Sequence, residues 1–250
     1  ANNLYQLLGD YTAAQDQLRL KETIYQQIKQ SFPASEVVFA PGCQIRAIDP
    51  AQTSIKAALT VAQDADVIVA ALGGSSARNF EMAFLKNGAV SSKGINMDSG
   101  ENVDVASLAL GGQQIALLQA LKTLKKPIVS ILIQGRPYEL TTVEQLSDAV
   151  LIGWFPGQKG AQAIANTLSG LNNPSGRLSI SYPINSQQLP VYYYQRDAAK
   201  QDHYYDQSGA PLHPFGAGLS YTQFTYHDLQ VTTAVDKITV TVKVTNNGQY

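Results

Sequence analysis

The sequence predicts an α/β fold: a mainly parallel sheet with helices on both faces, an α/β sandwich, followed by a truncated β-sandwich segment. Three observations predict it. Short apolar runs alternate with amphipathic stretches of about 12–18 residues, the pattern of a parallel sheet covered by helices. The strand runs are apolar on both faces, as strands buried on both sides must be. After about residue 184 the composition changes, and a clean period-two pattern takes over near the end.

The elements follow in order. Residues 12–30, TAAQDQLRLKETIYQQIKQ, space Leu18, Ile24 and Ile28 on one helical face. EVVFA, residues 36–40, is a short β-branched and aromatic run ended by Pro41-Gly42, and reads as a buried strand. Residues 51–65 read as a helix capped by Thr53 or Ser54. DVIVAALGG, 66–74, is a second strand closed by glycines. Residues 111–126 form an amphipathic helix whose basic last turn suits the helix dipole. Strands are expected at 127–135 and 149–155, a helix stopped by Gly170 at 159–170, and a fifth strand at 176–183. Residues 184–224 are rich in Tyr, Gly and Pro, and TVTVKV lies within an alternating stretch from 225 to 248. The domain reading is therefore 1–184 for the sandwich, 185–224 for a linker and 225–250 for the start of a second β-domain. Both ends read as cut, so the chain is expected to be a piece of a longer protein.

Composition excludes several function classes. With 44% hydrophobic and 15% charged residues the chain is globular, and its net charge of -1 offers no pull toward nucleic acid or an anionic membrane. No apolar run approaches the roughly 20 residues of a membrane span. One cysteine, Cys43, cannot build an intrachain disulfide framework or a cysteine zinc site, and His203, His213 and His227 sit at no metal-ligand spacing. No metal or cofactor is expected. The sequence carries no localisation signal; a cysteine-poor chain suits cytoplasm and exterior alike, and we read it as a bacterial cytoplasmic enzyme.

The longest loop of the α/β region, residues 73–112, lies where such sheets receive ligands, beyond the carboxyl ends of the strands. Loops this long are usually functional or disordered, and this one has no low-complexity bias. It contains MDSGENVDVASL, with Asp98, Glu101 and Asp104 three residues apart. Glu101 on a glycine-containing loop suits a general acid or base, while an exposed loop glutamate is the commoner fate of that residue type. Asp98 and Asp104 are expected to cap turns. LGGSSARNF, 72–80, fits neither the Walker nor the dinucleotide pattern. Within it Arg78 can donate to a ligand or simply pair with an acid. QGRPYEL and GWFPGQKG read first as turn chemistry, Trp154 and Phe155 as core or as a sugar-stacking surface, and the Tyr192-Tyr193-Tyr194 run as packing under a linker.

Taken together, MDSGENVDVASLALGGQQ, IQGRPYEL, WFPGQKGAQAIANTLSGLNNPSGRLSISYP and APLHPFGAGLSYTQF resemble the second domain of family 3 glycoside hydrolases, the β-glucosidase and β-xylosidase group. The matching patterns are S-G-E-x-x-D-R-x-x-L-x-L followed by Gln, then G-R-P, W-x-P-G-Q-x-G, N-P-S-G-R-L and P-F-G-x-G-L-S-Y-T-x-F, here in the family's order. The resemblance implies a (β/α) barrel elsewhere in the polypeptide and a fibronectin type III-like domain beginning near residue 225. It implies a retaining, exo-acting β-glycosidase in which Glu101 is the general acid/base and the nucleophilic aspartate belongs to the barrel. Partners would then be a β-linked glucoside or xyloside and the barrel domain. Ser76, Arg78, Phe80 and Asp10 are the candidate substrate-binding residues. Two departures stand out. Val105 replaces the arginine usual after the aspartate, so the Asp-Arg brace of the loop is expected to be missing, and the family's first strand, ending Ile-Gly-Pro, has no counterpart. The rival reading is a noncatalytic carbohydrate-binding or scaffolding module; another is a flavodoxin-like domain using LGGSS for a phosphate.

Overall fold

A computed structural model describes residues 2–9, 12, 22–46, 54–76, 86, 96–100, 103–196 and 203–250. Its centre is a three-stranded parallel sheet in the order β1 (Ile68–Gly73), β2 (Ile128–Ile133), β3 (Ala149–Ile152). Ile68 faces Ile128 and Gly73 faces Ile133, while Val129 faces Ala149 and Leu132 faces Ile152. Side chains alternate along β2, and both faces are covered. Ile128 and Leu132 enter one core cluster with Leu117, Leu118, Leu121, Tyr138, Leu140, Val143 and Tyr182. Ile131 and Ile133 enter the other, with Leu7, Ile24, Ala161 and Ile164. A central strand reads as an unbroken apolar run for this reason.

Among the described residues five α-helices supply the covering layers. α2 (Ile55–Ala62), α3 (Gln114–Lys122) and α4 (Thr141–Leu146) lie on the Leu132 side; α1 (Ile24–Ser31) and α5 (Gly160–Leu168) lie on the Ile131 side. α1 starts at Ile24 because Thr23 and Gln26 form a reciprocal capping box: the Gln26 N–H donates to Thr23 Oγ1 at 3.2 Å and the Thr23 N–H to Gln26 Oε1 at 2.8 Å. The 12–30 expectation is therefore too long at its described end, and residues 13–21 lie outside the described residues. Of the two caps proposed for α2, Ser54 is the one used, accepting from the Ala57 N–H at 3.2 Å. α4 was not expected; its Thr141-Thr142-Val143 start has weak helix propensity, and burial of Val143 decides the matter.

Two expected strands do not form. Residues 36–40 are irregular, with Val38 and Phe39 substantially exposed; an apolar run is a strand only where a neighbouring strand takes its backbone groups. Residues 176–183 pair not with the sheet but with the returning chain, through Tyr182 N–H to His213 O at 2.8 Å and Leu178 N–H to Ala217 O at 2.9 Å. His213 also meets Glu144 of α4 at 2.5 Å. The stretch read as a linker is thus fastened to the sandwich. The tyrosine run within it is exposed rather than packed: Tyr194 is 90% exposed, and Tyr193, itself mostly exposed, stacks on Phe215 with ring centroids 4.3 Å apart. No described residue covers the outer side of that run. Beyond it, β4 (Phe224–Thr233) and β5 (Ile238–Asn246) form an antiparallel hairpin with a register shift between His227 and Gln230.

Candidate active-site rim

The carboxyl ends of β1 and β2 carry Ser76, one of the residues that the sequence singled out, together with several that it did not. β1 ends at Gly73, where the start of α3 is tied down by Gln114: its Oε1 accepts from the Gly73 N–H at 2.7 Å and its Nε2 donates to Gly73 O at 2.8 Å. Gln114 is buried, and this exchange satisfies both backbone groups of Gly73 at the end of β1. The chain continues through Gly74, Ser75 and Ser76, all buried. A side chain at Gly74 would overlap the Tyr138 hydroxyl and lie 2.6 Å from Asp98 Oδ2, so glycine permits the close approach made there.

That approach is an anchor for the loop containing Glu101. Asp98, 3% exposed, accepts the Ser75 N–H on Oδ1 at 2.9 Å and the Tyr138 hydroxyl on Oδ2. Its own N–H donates to Ser75 O at 3.1 Å. Burial, then the Asp98 carboxylate, holds the Tyr138 phenol far above its ordinary pKa, so it serves as a donor at any working pH. Gly100 has φ +122, and its carbonyl accepts the Val103 N–H at 3.1 Å. Glu101 and Asn102, between these two, lie outside the described residues.

On the far side of Glu101 the expectation of a missing brace is overturned. Asp104 is paired with Arg136, Oδ1 to Nη1 at 2.5 Å, although Val105 stands where the family has arginine. The partner comes from the loop after β2, because an ion pair is a relation in space and any loop reaching the same point can supply it. The Arg136 hydrogen bond, with the Val105 N–H second, holds the Asp104 carboxyl below the usual range. Asp104 is mostly exposed, so the pair is a solvent-screened contact. Further along, the Glu139 N–H donates to Leu108 O at 2.8 Å, and Glu139 Oε1 accepts both the N–H and the hydroxyl of Ser186.

Of the other predicted residues, Ser76 is placed at this rim and is 3% exposed. Arg78, Phe80 and Asp10 lie outside the described residues. Trp154 and Phe155 resolve to the core reading: Trp154 meets Tyr182 edge-on at 6.1 Å within one cluster, and Phe155 packs on the other. Gln114, Arg136 and Tyr138 were not named as candidates. QGRPYEL reads from the sequence as turn chemistry and as a family motif, and a strand end crowded with polar and aromatic side chains is the signal available.

A family model for the glycosyl hydrolase family 3 C-terminal domain matches residues 2–221. Among curated relatives, the chain is 35% identical over 218 residues to a periplasmic β-glucosidase of Salmonella typhimurium, covering 81% of this chain and 26% of that protein. It is 29% identical over 257 residues to a β-xylosidase of Formosa agariphila, covering 98% and 32%. A solved β-glucosidase from Erythrobacter marinus superposes with TM-score 0.75 at 33% identity over 90% of this chain and 32% of its own. One from Listeria innocua gives 0.69 at 29% identity over 90% and 29%. The chain thus spans about a quarter to a third of the length of these relatives, and with a model match over nearly all of its α/β region it belongs to glycoside hydrolase family 3 as that family's C-terminal domain.

Proposed function

We propose that this chain is the acid/base-bearing part of a retaining, exo-acting β-glucosidase or β-xylosidase, with Glu101 as the general acid/base and a nucleophilic aspartate contributed by a barrel domain of the same polypeptide. The observation that carries the reading is the anchoring of both flanks of Glu101 beyond the carboxyl ends of β1 and β2, through Asp98 to Ser75 and Tyr138 and through Asp104 to Arg136. Ligands of open α/β sheets are met at that edge. The relatives named above as β-glucosidases and a β-xylosidase support the substrate class. The exposed apolar side chains of β4 and β5, among them Tyr226, Val240, Val242 and Val244, support a fibronectin-like domain beginning near residue 225, since a lone two-stranded hairpin is marginal in water.

The chemistry follows from two carboxyl groups about 5–5.5 Å apart. The aspartate attacks the anomeric carbon as protonated Glu101 gives its proton to the departing glycosidic oxygen, leaving a glycosyl-enzyme and an alcohol. Glu101, now a carboxylate, takes a proton from water as that water's oxygen displaces the aspartate. For the first step Glu101 must be protonated near neutral pH, which partial burial against the sugar and the charge of the nucleophile would bring about. The 250-residue chain has one of the two carboxylates, so on a chromogenic β-glucoside it is expected to release no chromophore. In the full-length protein, Glu101→Ala should lower kcat on alkyl glycosides by about 10²–10⁴-fold, and far less on dinitrophenyl glycosides, whose leaving group needs no proton. Turnover by the 250-residue chain, or equal losses on both substrates, would refute the assignment.

A further inference from the structure

Arg136, Tyr138 and Glu139 follow one another, with Pro137 between the first two, on the loop after β2. Each holds a different point of the segment that contains Glu101. Tyr138 donates its hydroxyl to Asp98, three residues before Glu101. Arg136 takes Asp104, three residues after it. The Glu139 N–H reaches Leu108 O at 2.8 Å. We propose that this Arg-Pro-Tyr-Glu stretch is a clamp, with Arg136 and Tyr138 as positioning residues that set where the acid/base carboxyl stands; the inference rests on the reading of Glu101 as proton donor.

The two grips differ in kind. Asp98 and Tyr138 are buried, and Asp98 is also bonded to the backbone of Ser75, so this grip fixes the loop to the ends of β1 and β2 together. The Asp104–Arg136 pair sits at the solvent edge, with the Asp104 side chain 79% exposed. Pro137 restricts the backbone between the two gripping residues, which narrows the range of positions from which the two side chains reach out. A turn whose only task was to reverse the chain would not need three of four consecutive residues to close on one distant segment.

The test uses the full-length enzyme, with Arg136→Met, Arg136→Lys, Tyr138→Phe and Glu101→Ala assayed in parallel on an alkyl β-glycoside and a dinitrophenyl β-glycoside. A misplaced donor loses proton transfer first. Arg136→Met and Tyr138→Phe should therefore lower kcat on the alkyl substrate by about 10–100-fold, with KM and the dinitrophenyl rate within about threefold. Arg136→Lys should recover most of the loss, since one donor in place of Nη1 suffices. Amide exchange of residues 98–108 in the 250-residue chain should quicken in Arg136→Met and Tyr138→Phe. The clamp is overturned if Arg136→Met leaves the alkyl rate unchanged, or if both substrates fall together and lysine restores nothing. If Glu101→Ala shows the leaving-group split and Arg136→Met does not, the clamp alone is wrong. If Glu101→Ala lacks the split, the acid/base reading fails and the clamp fails with it.

Discussion

Replacing Gly74 with alanine tests the anchoring of the loop around Glu101 without replacing any charged group. The new methyl would overlap the Tyr138 hydroxyl and lie 2.6 Å from Asp98 Oδ2. Neither neighbour can retreat cheaply: Tyr138 is 1% exposed within the main core, and Asp98 is held by the Ser75 backbone. Overpacking a closed site costs about 1–3 kcal/mol. Forcing the Tyr138–Asp98 bond apart adds about 1.5–3 kcal/mol, the usual worth of a hydrogen bond to a charged group. The sum, about 2.5–6 kcal/mol, corresponds to a fall in Tm of roughly 5–24 °C for a chain of this size. Gly176→Ala is the matched control, because a side chain there meets nothing within 4 Å; it should move stability by no more than about 1 kcal/mol, and upward if at all. Thermal and urea unfolding of the two variants would measure the difference. A Gly74→Ala protein within about 0.5 kcal/mol of Gly176→Ala would show that the Gly74–Tyr138–Asp98 approach is not the tight contact described here.

Two further expectations concern the frame around the site. Thr23→Ala should cost about 1 kcal/mol by removing one half of the α1 capping box, read as a lowered urea midpoint with unchanged slope; no change would mean that the box contributes nothing beyond Gln26. Burial pushes the Cys43 thiol from 9.0 up to about 11, so its thiolate fraction at pH 8 should be about 100-fold below that of an unperturbed thiol. Alkylation of the native chain by iodoacetamide should be correspondingly slow and should accelerate in urea, whereas prompt native alkylation would contradict the burial.

Particular residues show how far sequence reasoning reached. The strands that held, at 68–73, 128–133 and 149–152, are those flanked on the chain by amphipathic helices, whose apolar faces identify the layers that cover them. EVVFA also lies between two helices, α1 and α2, yet it pairs with no described strand, and neither composition nor flanking helices tell a paired run from an unpaired one. Glu101 is a candidate because its motif neighbours stand in the family's order. Arg136 was not, since its role depends on where the β2 loop passes, 32 residues along the chain from Asp104.

Local chemistry along the chain was enough to specify the alternation of strand and helix, Thr53 or Ser54 as the cap of α2, the family and the candidate proton donor. These are properties of neighbouring residues, and periodicity, capping and motif spacing are written in neighbours. Tertiary structure alone decided that Tyr138 and Arg136 close on Asp98 and Asp104, that 176–183 pairs with the returning chain, and that the tyrosine run faces outward. Each of those is a meeting between segments far apart in sequence, decided by which packing of the whole sheet satisfies the buried polar groups, and no local pattern encodes it.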